Sequence, residues 1–237
     1  MSRLFGMKAI FQDQIKLAFF LEKRNMIQEK DIFSVVHHIE LPLHFQKYSK
    51  ERKTEFLRGR NCAQEALKQL YARDQEFLGK YGIGVNKDRS PSWPSGITGS
   101  ITHNKNWIMS CVSYQNEVGG VGVDIEDTLR FKTLRKVGSK ILTGKEEKLG
   151  TSIENQMSPH DFLTLIFSSK EALFKCLYPL CKFFFYFKDA EVIKINLKEG
   201  RFTFRLNKDL GDVFKKGDLF EGRYEKVEDD LLTLVTL

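Results

Sequence analysis

The chain carries one local pattern twice: a long amphipathic helix followed by runs that alternate like strands. The first helix is expected over residues 50–72. Ser49 can cap it, and Phe56, Ala63, Ala66, Leu67 and Leu70 recur at helical spacing. A second begins at Ser158-Pro159, with proline at the first helical position and Phe162, Leu165, Ile166, Ala172, Leu173 and Cys176 as its buried stripe. Strands are expected at 191–197, 201–206, 220–227 and 231–237 from their period-two alternation. The runs Trp107–Ser113 and Val118–Ile125, joined by the polar link Tyr114-Gln115-Asn116-Glu117, read as a hairpin. Long helices beside antiparallel strands define an α+β fold.

The remaining segments are less regular. Residues 1–48 read as strand-like pieces, with a β-branched run over 33–39 that Pro42 ends. Residues 82–100, centred on Pro91-Ser92-Trp93-Pro94, are dense in breakers and are expected to be loop. Thr143-Gly-Lys-Glu146 has the capping-box form and starts a short helix.

Composition bounds the function. A chain of 237 residues with 41% hydrophobic and 29% charged residues buries a real core. Net charge is +7, which suits an anionic ligand or an acidic protein partner, and equally a nucleic acid. The apolar runs 17–21 and 183–187 are too short to span a membrane. No signal-peptide pattern opens the chain, so a cytoplasmic protein is expected. Cys62, Cys111, Cys176 and Cys181 form no Cys-x-x-Cys pair and read as reduced thiols. His37, His38 and His44 sit close in sequence, but no Cys accompanies them and no metal site is assigned there.

Chemistry concentrates in two acidic segments. In Val121-Gly-Val-Asp-Ile-Glu126, side chains alternate, so Asp124 and Glu126 share one face of a strand. Alone, Asp-x-Glu is common on solvated strand faces. Glu171 adds a third carboxylate, with Lys170 beside it and Lys175 one turn on. Such a pair can be a plain helix ion pair; beside Asp124 and Glu126 it also reads as a magnesium ligand or general base. Carboxylates ringed by base suit Mg²⁺ carrying a phosphorylated substrate. His103, after Gly99-Ser-Ile-Thr102, lies where ligand groups are often placed. Arg52, Lys53 and Arg60 on the first helix, with Lys87 and Arg89 before Pro91, form either a solvated basic face or a phosphate grip.

Four blocks, in order, resemble 4′-phosphopantetheinyl transferases of the Sfp type, and among them the EntD-like branch that serves siderophore synthesis. They are Gly59-Arg-Asn-Cys-Ala-Gln-Glu-Ala-Leu67, Pro91-Ser-Trp-Pro-Ser-Gly-Ile-Thr-Gly-Ser-Ile-Thr-His103, Val121-Gly-Val-Asp-Ile-Glu126 and Phe167-Ser-Ser-Lys-Glu-Ala-Leu-Phe-Lys175. Phe167 stands where many members have Trp, and Thr102 where many have Ser.

The resemblance implies two similar α/β halves related by pseudo-twofold symmetry, 1–118 and 119–237, with the active site between them. It implies Asp124, Glu126 and Glu171 as Mg²⁺ ligands, Glu171 as base for the acceptor serine, and Lys175 against CoA phosphate. It places Lys170, Thr102, His103, Arg60, Arg52 and one of Lys87 and Arg89 around CoA. The implied partner is an acidic acyl, peptidyl or aryl carrier protein, the implied co-substrate is CoA, and the enzyme is expected to be a monomer. Two other classes use parts of the same pattern: a Mg²⁺-dependent phosphohydrolase, and a non-catalytic protein binding CoA or nucleic acid. No RNP, zinc-finger or helix-turn-helix pattern supports nucleic acid as the ligand.

Overall fold

The computed structural model describes residues 17–24, 39–74, 82–127, 136 and 138–237. His37, His38 and most of the run expected over 33–39 lie outside the described residues. The chain divides into two compact units that meet between Val121 and Gly122.

In the first unit, β1 (Ala18–Lys23), β5 (Trp107–Tyr114) and β4 (Ile97–His103) form an antiparallel sheet in the order β1-β5-β4. Helix α1 (Lys50–Asp74) packs across all three strands. Its N-terminus is held by Ser49, whose Oγ accepts from Arg52 N at 3.2 Å. Ala63, Ala66, Leu67 and Leu70 face Ala18, Ile97 and Val112 in the core, as the helical spacing predicts. Small residues on this stripe let the helix lie close to the sheet; a Cβ on Gly59 would already touch Ile101 Cγ2 at 3.0 Å. A two-stranded ribbon, β2 (Gly84–Val85) with β3 (Pro91–Ser92), completes the unit.

Two sequence expectations fail here. The segment 82–100 is not all loop: it holds β2, β3 and the start of β4. Its prolines sit at a strand end and in a turn, where they cost no ladder bond, whereas Gly99 lies inside β4 opposite Val112, where a Cβ would meet the Cys111 carbonyl and the Trp93 ring at 2.9 Å. The hairpin expected between 107–113 and 118–125 does not form. β5 turns back onto β4 instead, with Asn104 Oδ1 accepting from the backbone of Asn106 and Trp107 at 2.8 Å each. An Asx turn of this kind closes a hairpin without the Asn-Gly pair that reads most clearly in sequence.

In the second unit, five strands run in the order β6-β10-β9-β8-β7. They are β6 (Val121–Asp127), β7 (Ala190–Asn196), β8 (Arg201–Leu206), β9 (Leu219–Val227) and β10 (Asp230–Thr236). From β7 to β10 each pairing is antiparallel. Helix α2 (Gly144–Ser152) contacts β7, and α3 (Pro159–Cys181) packs on β10 and β9. Both helices start as their sequence dictates. Thr143 and Glu146 form the capping box of α2, and Ser158 Oγ accepts from Asp161 N ahead of Pro159 in α3. Leu165, Ile166, Leu173 and Leu177 of α3 meet Phe202, Phe204, Leu231 and Val235 in a fully buried core. Each unit thus packs helix on sheet, the α+β arrangement expected. Among the described residues, no helix is long and apolar enough to cross a membrane.

Candidate active site

The acidic site is built where β6 crosses α3. Gly122, Asp124 and Glu126 share one face of β6 by alternation. That face lies against α3: a Cβ on Gly122 would collide with the Ala172 carbonyl and sit 2.7 Å from Cys176 N. Glycine is therefore needed for the strand to approach the helix backbone. Two residues later, this closeness places Asp124 within reach of the α3 side chains. Lys175 Nζ donates to Asp124 Oδ1 at 2.7 Å and to the Val123 carbonyl at 3.1 Å. Asp124 is 5% exposed. Glu171 lies one turn before Lys175 on the same helix face. Burial first, and then the charge of Asp124, push its carboxyl above the usual range, while Lys175 pulls the other way. Two carboxylates and one ammonium thus share a partly desolvated site.

This donor set fits Mg²⁺. The ion takes hard oxygen ligands, needs only one or two carboxylates and completes its shell with water and phosphate oxygens. A cation would relieve the repulsion that raises Glu171. The three carboxylates do not form a single ready-made cluster, however. Among the described residues, no three His, Cys, Asp or Glu side chains converge to hold a metal. Glu126 stands one strand repeat beyond Asp124 and is half-buried. The 6–7 Å step of about one such repeat separates its Cα from that of Asp124.

Lys170 departs from expectation. Its side chain is 3% exposed, and its Nζ donates to Glu146 Oε2 at 2.7 Å and to the Ile141 carbonyl at 2.9 Å. The other Glu146 oxygen accepts from Val192 N of β7 at 2.8 Å. Lys170 is thereby an internal tie between α3, α2 and β7, and it also lines a cavity beside Glu171. Beside Glu171 a cavity of about 290 Å³ opens, walled by Phe174, Phe184, Phe185, Tyr186 and Phe187.

The basic site belongs to the first unit. A cavity of about 240 Å³ is lined by Arg52, Phe56 and Arg60 of α1, Arg89 and Pro91 of the ribbon, and His103 of β4. Arg60 is buried, its guanidinium lies 4.6 Å from the Phe56 ring centroid, and it donates to the Gly84 carbonyl at 3.4 Å. Burial, with a smaller contribution from Arg52, lowers its pKa to about 10, so it stays charged at neutral pH. An anion in the cavity would offset that desolvation. Glu55 organises the rim: its carboxylate takes Arg24 at 2.9 Å, Arg52 at 3.7 Å and His103 Nδ1 at 3.9 Å.

The cavity separates two pairs of expected residues. Arg89 lines it, in a tight turn at φ 69°, while Lys87 is exposed and does not. His103 lines it, but Thr102 does not. Neighbours on a strand point to opposite faces, and Thr102 is buried on the other face of β4. Sequence reasoning missed Glu55, Glu146 and Gly122. Glu146 carried a signal, its capping box, that explained it too early. The four cysteines are free; Cys62, Cys111 and Cys176 are buried, which raises their thiols far above the reactive range.

Residues 42–113 match the 4′-phosphopantetheinyl transferase N-terminal domain, and residues 120–225 match the 4′-phosphopantetheinyl transferase superfamily. The chain is 30% identical over 199 residues to the 4′-phosphopantetheinyl transferase Svp of Streptomyces mobaraensis, covering 82% of this chain and 76% of that protein. It is 29% identical over 149 residues to enterobactin synthase component D of Salmonella typhimurium, covering 62% of this chain and 56% of that protein. For enterobactin synthase component D of Escherichia coli the figures are 32% over 147 residues, 62% and 63%. The chain belongs to the 4′-phosphopantetheinyl transferase superfamily. Its matches span little more than half the length of the enterobactin synthase relatives.

Proposed function

We propose that the chain transfers 4′-phosphopantetheine from CoA to a serine of an apo carrier protein, in siderophore or related peptide synthesis, with Mg²⁺ as cofactor. The observation that carries this reading is the meeting of Asp124, Glu171 and Lys175 on the close β6–α3 contact. Asp124 and Glu171, with Glu126 nearby, would hold the ion, which supplies charge neutralisation on the pyrophosphate when bound. In the transfer, the serine Oγ attacks the phosphorus that carries the pantetheine arm, and the pyrophosphate P–O bond breaks. Glu171 accepts the serine proton, a role suited to a carboxylate whose burial raises its basicity. Lys175 offsets charge on the departing 3′,5′-ADP. Arg60, Arg52, Arg89 and His103 surround a cavity suited to the phosphates of the nucleotide end.

The test is release of 3′,5′-ADP from CoA, followed chromatographically with and without apo carrier. Release that needs both carrier and Mg²⁺ is expected. Release without any carrier would instead make the protein a phosphohydrolase.

A further inference from the structure

After α3, the chain reads Lys182-Phe-Phe-Phe-Tyr-Phe-Lys188: five consecutive aromatic residues bracketed by lysine, with no acid between. A core segment would bury all five. Here only Phe185 is buried and Phe187 half-buried, while Phe183, Phe184 and Tyr186 are 40%, 59% and 69% exposed. The segment is nevertheless fixed at both ends. Lys182 caps α3 in the left-handed conformation, at φ 51°, with its N–H on the Tyr178 carbonyl. At the other end Tyr186 N donates to Asp189 Oδ2 at 2.7 Å. The outward rings are therefore held in place and not left to fold back.

These rings continue into the acidic site. Phe174 walls the cavity beside Glu171 and stands edge-on to Phe184 at 5.2 Å between centroids; Phe184 stands edge-on to Tyr186 at 5.2 Å. An aromatic surface thus runs without a break from Glu171 to solvent. Exposed clusters of large rings cost solubility and mark contact surfaces. Aromatic residues are enriched in such contacts. Exposed Lys182 and Lys188 frame this one with positive charge.

We propose that residues 182–188 are the docking surface for the acceptor, which lays an apolar patch on Phe183, Phe184 and Tyr186 and sets acidic side chains against Lys182 and Lys188. This rests on the transferase reading, since it places the acceptor serine at the Glu171 cavity. The aromatic rings supply the hold once docked, and the lysines speed and orient the encounter.

Two double variants test it by steady-state kinetics with CoA and an apo carrier varied separately: F184A/Y186A, and K182E/K188E. All the altered side chains except the packed edges of Phe184 and Tyr186 face solvent, and circular dichroism and thermal melting check the fold. F184A/Y186A should raise KM for the carrier at least about tenfold and leave KM for CoA within about twofold. K182E/K188E should weaken carrier use and flatten its dependence on salt. An unchanged carrier KM in both variants overturns the proposal, as does a rise confined to KM for CoA. So does loss of a wild-type self-association in F184A/Y186A with carrier KM unchanged, which would make the surface a contact between copies. Failure of the wild-type chain to modify any carrier would instead overturn the transferase reading.

Discussion

Lys170 Nζ lies 2.7 Å from Glu146 Oε2, and both side chains are almost wholly buried. The lysine next to the proposed base therefore spends its charge inside the fold. Burial pushes its pKa down and Glu146 holds it up. Breaking one side of a buried ion pair strands the other charge, at a cost of about 3–5 kcal/mol. Glu146→Gln also weakens the bonds to Thr143 N and Val192 N. It should lower the urea midpoint markedly, and more than Lys170→Met, which leaves those two bonds intact. Equal, small effects would show that the pair contributes little.

Lys175 is half-buried and faces a different partner. It is the cation that Asp124 and Glu171 share. Lys175→Met should reduce turnover by about 10²–10³-fold, and because it strands the buried Asp124 carboxylate it should also lower the melting temperature. Lys175→Arg should recover only part of this, because a planar guanidinium does not replace a compact ammonium. Full activity in Lys175→Met would remove it from the site.

The raised Glu171 carboxyl makes a pH prediction. A raised pKa means the proton is held to higher pH than in an ordinary carboxylate, so activity should fall on the acid side as Glu171 protonates. Mg²⁺ competes with that proton. Raising Mg²⁺ should therefore move the acid limb of the pH–rate profile to lower pH, and chelation should abolish turnover. An acid limb that stays fixed across Mg²⁺ concentrations would place the titrating group elsewhere.

Gly122→Ala tests the strand–helix contact. Its new methyl group meets the backbone at Ala172 and Cys176, which cannot yield as a side chain can. Destabilisation of about 1–3 kcal/mol is expected in urea unfolding, with loss of activity at temperatures where the variant remains folded. Wild-type behaviour would mean that β6 and α3 are less closely packed.

In the first unit, calorimetry with 3′,5′-ADP should rank the basic residues. Arg60→Ala should weaken binding by about 1.5–3 kcal/mol, as expected for a buried charge-assisted contact. Arg89→Ala should cost less, because Arg89 is exposed, and Lys87→Ala should have no effect. Equal losses at Lys87 and Arg89 would contradict the turn geometry.

Much of this was legible in the sequence where one physical signal acted alone. The α1 and α3 stripes, both serine caps, the capping box and the four C-terminal strands follow from periodicity and capping. What was hidden depends on partners far along the chain. The β4–β5 pairing competes with a similarly patterned 107–125 alternative, and the Asn104 turn closes it. Lys170 and Lys175 have the same chemistry in sequence. Their fates diverge because position 170 falls against Glu146 and position 175 against Asp124. Thr102 and His103 diverge because a strand alternates.

The most direct measurement is the intact mass of an apo carrier protein after incubation with this protein, CoA and Mg²⁺, beside an Asp124→Ala control. The account predicts that the carrier gains one phosphopantetheine with the wild-type chain and none with the variant. An unmodified carrier with the wild-type chain, across aryl, peptidyl and acyl carriers, would contradict it, as would full modification by Asp124→Ala.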